Sequence, residues 1–144
     1  MKRVCELLEG KGRDIWSLEP GATVYEAIEQ MAQKGCGALL VMEGKRLVGI
    51  ISERDYARKV ILKGKSSREI EVREIMSQPV ICIGPELTVE QTMTLMTEKR
   101  VRHLPVVVEE MVVGVISIGD VVRAIIEDKE FYIQQLTSYI TSGS

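Results

Sequence analysis

The chain is short of the residue types on which several functions depend. Its single histidine is His103, and its three cysteines, Cys5, Cys36 and Cys82, are an odd number without C-x-x-C spacing. A disulfide framework, structural zinc and a His–Cys metal centre are therefore disfavoured, and no loop suited to an all-carboxylate site is present. One Trp, one Phe and four Tyr are too few for base-stacking platforms, so the core must come from Val, Ile, Leu and Met. A net charge of −2 with 28% charged residues argues against both disorder and a polyanion-seeking surface, and nucleic acid is not an expected partner. The longest apolar run, at residues 38–42, falls far short of the roughly 18 residues of a membrane span. Glu6 and Glu9 break the N-terminal segment before it reaches signal-peptide length. These deficits predict a cytoplasmic protein with no metal, disulfide or membrane anchor.

What the chain has is enough apolar content, 45% of 144 residues, to bury a core, and a pattern used twice. A shift of 65 positions aligns residues 20–58 with 85–123 without a gap. Pro20/Pro85, Thr23/Thr88, Met31/Met96, Gly49/Gly114, Ser52/Ser117, Asp55/Asp120 and Arg58/Arg123 are among the identities. Each copy reads as a short strand (residues 15–18 and 80–83), a helix capped by Thr23 or Thr88, and a hairpin. The first hairpin turns at residues 43–46 and the second at 109–111. A second helix starts at Ser52 or Ser117. The fold class is α+β: two β-α-β-β-α repeats related by a pseudo-two-fold, with small mixed sheets packed against helices. Residues 1–66 form the first repeat with an N-terminal lead-in, 67–128 the second repeat, and 129–144 a C-terminal helix and frayed tail. Phe131, Ile133, Leu136, Tyr139 and Ile140 should seat that helix on the body or on another subunit.

The most specific local signal is G-h-h-S-x-x-D, from Gly49 to Asp55 and again from Gly114 to Asp120, at a strand-to-helix junction. Helix starts present unpaired N–H groups to phosphate oxygens, to which Ser52 or Ser117 adds a hydroxyl donor. Asp55 or Asp120 is an acceptor pair suited to the two vicinal hydroxyls of a ribose. The same spacing also describes a capping box, in which Ser caps the helix and Asp reaches back to the N-cap amide, and the two roles are compatible. Gly49 and Gly114 would let a base or a neighbouring backbone approach the strand. Catalysis finds little support: a single histidine and no Walker-type loop.

Together, P-x-x-T-V before a helix, R-H-L-P-V, and the repeated G-h-h-S-x-x-D resemble a tandem pair of cystathionine-β-synthase (CBS) domains, a Bateman module. The likeness spans residues 4–127, which implies a stand-alone pair with no attached catalytic domain. It implies a non-catalytic regulatory sensor that needs no cofactor. Such a sensor binds an adenosine nucleotide (AMP, ADP, ATP or NAD(H)) in clefts between the repeats and passes a conformational change to an unidentified protein partner. A homodimer of pairs is implied as well, and the alternative is a protein-binding adaptor with vestigial clefts. By position, Asp55 and Asp120 would hold ribose, and Ser52, Ser117, Arg102 and His103 would lie near phosphate. The base would rest on Ile15, Cys36, Ala38 and Ile50, beside Gly37, in one copy, and on Val80, Val101 and Val115, beside Pro105, in the other. Copy one has Gly35-Cys36-Gly37-Ala38 where copy two has Arg100-Val101-Arg102-His103, so the two sites are inequivalent, with Arg54 compensating from the helix side.

Overall fold

The structure, a computed structural model, describes residues 2–142; the ends of the expected 1–66 and 129–144 segments, Met1, Gly143 and Ser144, lie outside the described residues. The chain packs as two compact units, one of residues 15–81 and one joining the segment up to Asp14 to the segment from Cys82 onward. The packing units thus divide the chain differently from the sequence copies. The N-terminal lead-in precedes copy one but packs with copy two, and residues 59–81, which separate the aligned copies and lead into copy two, pack with copy one.

In the 15–81 unit, β1 (Ser17–Leu18) runs parallel to β2 (Ala38–Glu43), which pairs antiparallel with β3 (Arg46–Ser52). Helix α2 (Val24–Lys34) covers the sheet, and its first turn is built as its sequence asks. The Thr23 hydroxyl accepts from the Glu26 amide at 3.1 Å, and the Glu26 carboxylate accepts from the Thr23 amide at 3.0 Å. Val24, Ala27 and Met31 on its inner face are buried with Leu39, Val41 and Ile51 of the hairpin and with Val60, Ile70, Val72 and Ile75 further along. Helix α3 (Glu53–Tyr56) continues as a π turn, Ala57–Ile61, and a 3-10 turn at Val72–Glu74 brings Val72 and Ile75 into the same core.

The other unit repeats this plan. Helix α4 (Val89–Lys99) has the same capping box between Thr88 and Gln91, and β4 (His103–Val108) pairs with β5 (Met111–Ser117). The two hairpins share one register at the 65-residue shift: Ala38 faces Ser52 as His103 faces Ser117, and Val41 faces Gly49 as Val106 faces Gly114. The tight turn of the second hairpin is made by Glu109 and Glu110, both with positive φ, as a two-residue turn with the twist of its strands requires. Residues 80–83 do not form the expected strand. Only Ile83 bridges to β4, donating to the Pro105 carbonyl at 3.0 Å and accepting from the Val107 amide at 2.8 Å. Pro79 and Pro85 bracket the segment, lack amide donors and leave little room for a ladder.

Helix α5 (Ile118–Ser142) follows β5 without the expected break near residue 128, since no Gly or Pro interrupts residues 120–142. Helix α1 (Val4–Lys11) belongs to this unit, with Val4, Leu7 and Leu8 buried.

Gly49 and Gly114 are required by side-chain packing, so the neighbour is a side chain and not the base or backbone that the sequence leads one to expect. A Cβ at Gly49 would lie 2.4 Å from the Met76 sulfur and 3.2 Å from its Cβ, and one at Gly114 would lie 2.6 Å from a Leu8 methyl. We expect Gly49→Ala to destabilise the protein by about 1–3 kcal/mol through overpacking. Adding Met76→Ala should remove much of the penalty, giving a non-additive double-mutant cycle in urea denaturation.

Candidate functional site

In each unit the antiparallel hairpin ends on a serine that caps the next helix, and the third helical residue is a buried aspartate. In the 15–81 unit the Asp55 carboxylate accepts from the Ser52 amide at 3.0 Å and the Ser52 hydroxyl at 3.1 Å, while the Ser52 hydroxyl accepts from the Asp55 amide at 3.2 Å. Its second oxygen accepts from the Ser77 hydroxyl and from Lys59, each at 3.1 Å. Lys59 also donates to the Ile75 carbonyl at 2.9 Å. Beside this cap the Gly37 carbonyl accepts from the Glu53 amide at 3.0 Å and Ala38 pairs with Ser52. The register that sets Ser17 against Leu40 brings Ile15 to the level of Ala38. Cys36, Gly37, Ala38, Ile50, Ser52 and Arg54 are all half-buried, and Asp55 is buried. Burial pushes the Cys36 thiol above its ordinary pKa, assisted by the Glu53 charge and opposed by a hydrogen bond from Ala38, so the group is a protonated, unreactive thiol at neutral pH.

The second unit builds the same cap with more positive charge. Asp120 accepts from the Ser117 amide at 2.8 Å and from Lys11 at 2.6 Å on one oxygen, and from Arg123 at 2.8 Å on the other. Lys11 simultaneously donates to the Val115 carbonyl at 2.8 Å. A cavity of about 270 Å³ lies along α1 and α5, lined by Lys2, Glu6, Lys11, Asp120, Arg123 and Glu127 among others, somewhat below the size of a small-ligand pocket. His103 pairs with Ser117 across the hairpin, Pro105 with Val115, and the Arg102 carbonyl accepts from the Ile118 amide at 2.8 Å. Val101 is half-buried where α4 ends, and the Arg102 side chain is exposed. Val80 falls in the other packing unit from Val101 and Val115.

Burial alone would push the Asp120 carboxyl up, but the hydrogen bond and charge of Lys11 and the bonds from Ser117 outweigh it and hold the group below its ordinary range. His103 is also shifted down, first by burial and then by Lys11 and Arg102, against a smaller pull from Asp120. It is a neutral imidazole at pH 7.

Four residues of these networks escaped the candidate set. Lys59 and Arg123 stand one helical turn after their aspartates, at i+4 and i+3, a spacing that pairs charges on any helix. Lys11 and Ser77 arrive from segments distant in sequence, and nothing local marks them. Among the described residues no group of three or more His, Cys, Asp or Glu is placed to hold a metal, and no helix is long and apolar enough to cross a membrane.

Two copies of one sheet-and-helix unit, each closing on a capped, buried aspartate, define a tandem-repeat module with a polar site at each strand-to-helix junction. The CBS domain model matches twice, at residues 12–62 and 72–127, and the chain belongs to the CBS domain family. It is 39% identical over 150 residues to the CBS domain-containing protein CBSX3, mitochondrial, of Arabidopsis thaliana, covering 97% of this chain and 72% of that protein. The solved CBS-domain containing protein ATU1752 from Agrobacterium tumefaciens is 35% identical with a TM-score of 0.82, covering 85% of this chain and 98% of that one. A CBS domain protein from Pyrobaculum aerophilum, solved in complex with AMP, is 29% identical with a TM-score of 0.72, covering 82% of this chain and 88% of that one.

The charge states carry a pH signature. A folded-state pKa below the unfolded value means that the unfolded chain binds more protons, so stability falls as pH drops. For His103 the loss begins near its unfolded value of about 6.5 and proceeds as pH falls through the depressed folded value. We expect denaturant midpoints to decrease from pH 7.5 to pH 5.5, and the decrease to be smaller in His103→Gln. A further loss below about pH 4, from Asp120, should persist in that variant and shrink in Lys11→Met.

Proposed function

We propose that this chain is a non-catalytic regulatory module that binds an adenosine nucleotide (AMP, ADP, ATP or NAD(H)) and signals occupancy to a protein partner. The observation that carries the reading is the Asp120 site: a buried, ionised carboxylate at a helix start, with Ser117 beside it and the cations Lys11 and Arg123 on its two oxygens. A carboxylate offers acceptors to ribose hydroxyls, and the helix start, Ser117 and the cations offer donors and positive charge to phosphate. The AMP bound to the Pyrobaculum aerophilum relative supports the ligand class.

In this reading Asp120 and Asp55 hold ribose, and Ser117, Ser52, Arg102, His103 and Arg54 lie toward phosphate. The base rests on Val101, Val115 and Pro105 in one site and on Ile15, Cys36, Gly37, Ala38 and Ile50 in the other. The unit carrying Asp120 is the stronger phosphate site because two cations flank its carboxylate, while Asp55 has Lys59 and a neutral Ser77. Nucleotide binding changes the ion pairs of Asp120 and thereby the seating of α1, through Lys11. That differential contact is what a ligand needs in order to shift a conformational equilibrium. Two copies act together as a homodimer, and a chain of 144 residues with only three cysteines suits a reducing compartment such as the cytoplasm.

The second reading, an adaptor with vestigial sites, is favoured by the hydrogen-bond capacity of Asp120 already spent on Lys11, Arg123 and Ser117. Thermal unfolding of nucleotide-stripped protein against AMP, ADP, ATP, NAD+ and NADH separates the two. A bound nucleotide at 100 times its Kd should stabilise by about 2.7 kcal/mol. Asp120→Asn, which keeps an oxygen for the helix cap, should lose most of that shift while remaining folded. No shift with any of the five nucleotides would overturn the sensor and leave the adaptor.

A further inference from the structure

Helix α5 changes character along its length. Val121 and Ala124 in its first half are buried in their own unit, whereas every residue from 129 to 141 is exposed. The exposed stretch is nevertheless patterned. Val122, Ile126, Lys129, Ile133, Leu136 and Ile140 follow one another at alternating steps of four and three, the 3.5-residue repeat of a coiled-coil seam. In heptad terms Ile126, Ile133 and Ile140 occupy the a positions, and Val122, Lys129 and Leu136 the d positions. Ile133 and Leu136 are each 62% exposed and Ile140 is 70% exposed.

We infer that this face of α5 is a self-association surface, on which two copies of the chain pair their C-terminal helices as a parallel, in-register two-stranded coiled coil. The inference rests on the homodimer of the preceding reading and gives it a surface, but needs no nucleotide. Three features favour a second copy as the occupant. Isoleucine at all three a positions with Leu136 at d is the side-chain choice of parallel two-stranded coils, and a second copy carries the same repeat in the same register. With Tyr132 and Tyr139 flanking it, 60% and 76% exposed, the stripe runs along the whole uncovered half of α5, and a specific interface takes about 800 Å² from each partner. Lys129, the one charged seam position, adjoins an e-position Glu130, so in a parallel in-register pair each lysine meets the partner's Glu130; the pair would fix register. A lipid surface fits poorly. Between residues 127 and 142 Lys129 is the only basic residue, set among Glu127, Asp128 and Glu130, whereas membrane-surface helices carry a basic polar face.

The test is sedimentation equilibrium on the full chain, paired with oxidative cross-linking. Leu136→Glu should weaken the dimer by about tenfold or more, while Gln134→Glu, on the outer face at a b position, should leave it unchanged. Under mild oxidation Leu136→Cys should form a disulfide-linked dimer well above the wild-type background of the three native cysteines, and Gln134→Cys should not. A wild-type dimer in which Leu136→Glu changes nothing and positions 134 and 136 cross-link equally overturns the surface while sparing the homodimer. A wild-type monomer at high micromolar concentration overturns both, as would a monomer that cosediments with anionic phosphatidylserine vesicles.

Discussion

The contact of a lead-in side chain with the glycine of the second hairpin strand is the constraint on which both units depend. Leu8 stands over Gly114 and Met76 over Gly49, at distances that leave no room for a Cβ. That closeness seals the apolar face of each hairpin, and it also delivers polar groups. With Leu8 seated, Lys11 three residues on reaches both the Val115 carbonyl and Asp120. With Met76 seated, the neighbouring Ser77 exchanges backbone hydrogen bonds with Ile50, at 3.1 and 2.8 Å, and places its hydroxyl on Asp55. Apolar packing of the lead-ins thus sets the geometry of the candidate sites, and the hydrophobic and electrostatic parts of each unit cannot be varied independently.

The two carboxylates show how one motif is tuned by what surrounds it. Both are nearly removed from solvent, a position that disfavours a negative charge unless donors compensate. Asp55 is satisfied by its own serine, by Ser77 and by one lysine on the same helix, and Asp120 by its serine amide and by two cations, one brought by α1. Copy two adds Arg102 and a neutral His103 on the strand that faces Ser117, where copy one has Gly37 and Ala38. The asymmetry visible in the amino-acid letters therefore recurs in the hydrogen-bond networks, with more positive charge at the second site.

Much of the architecture was legible before any coordinates. Gapless self-similarity at 65 residues foretold two hairpins with identical register, because each alternation of Gly, Val and Ile must repeat for the same faces to be buried twice. The caps at Thr23, Thr88, Ser52 and Ser117 were readable because capping is a contact across three residues. The strand expected at residues 80–83 was not formed, since an apolar run does not reveal whether backbone donors find a partner between two prolines. The length of α5 is hidden for the opposite reason. The apolar spacing beyond residue 128 predicts a separate packing element, yet nothing in the chain breaks the helix, and its apolar side chains stay exposed in the folded chain.

The sequence by itself determined the repeat, the secondary structure within it, and the pairing of serine with aspartate at each helix start, because these rest on periodicity and on contacts a few residues apart. Only the tertiary structure decided which lead-in packs on which copy, and hence that Lys11 rather than a residue of the repeat itself neutralises Asp120. It also decided that Gly49 and Gly114 make room for Met76 and Leu8. These are contacts between segments far apart along the chain, and no local pattern encodes them: the partner is selected by the shape and burial of the assembled unit.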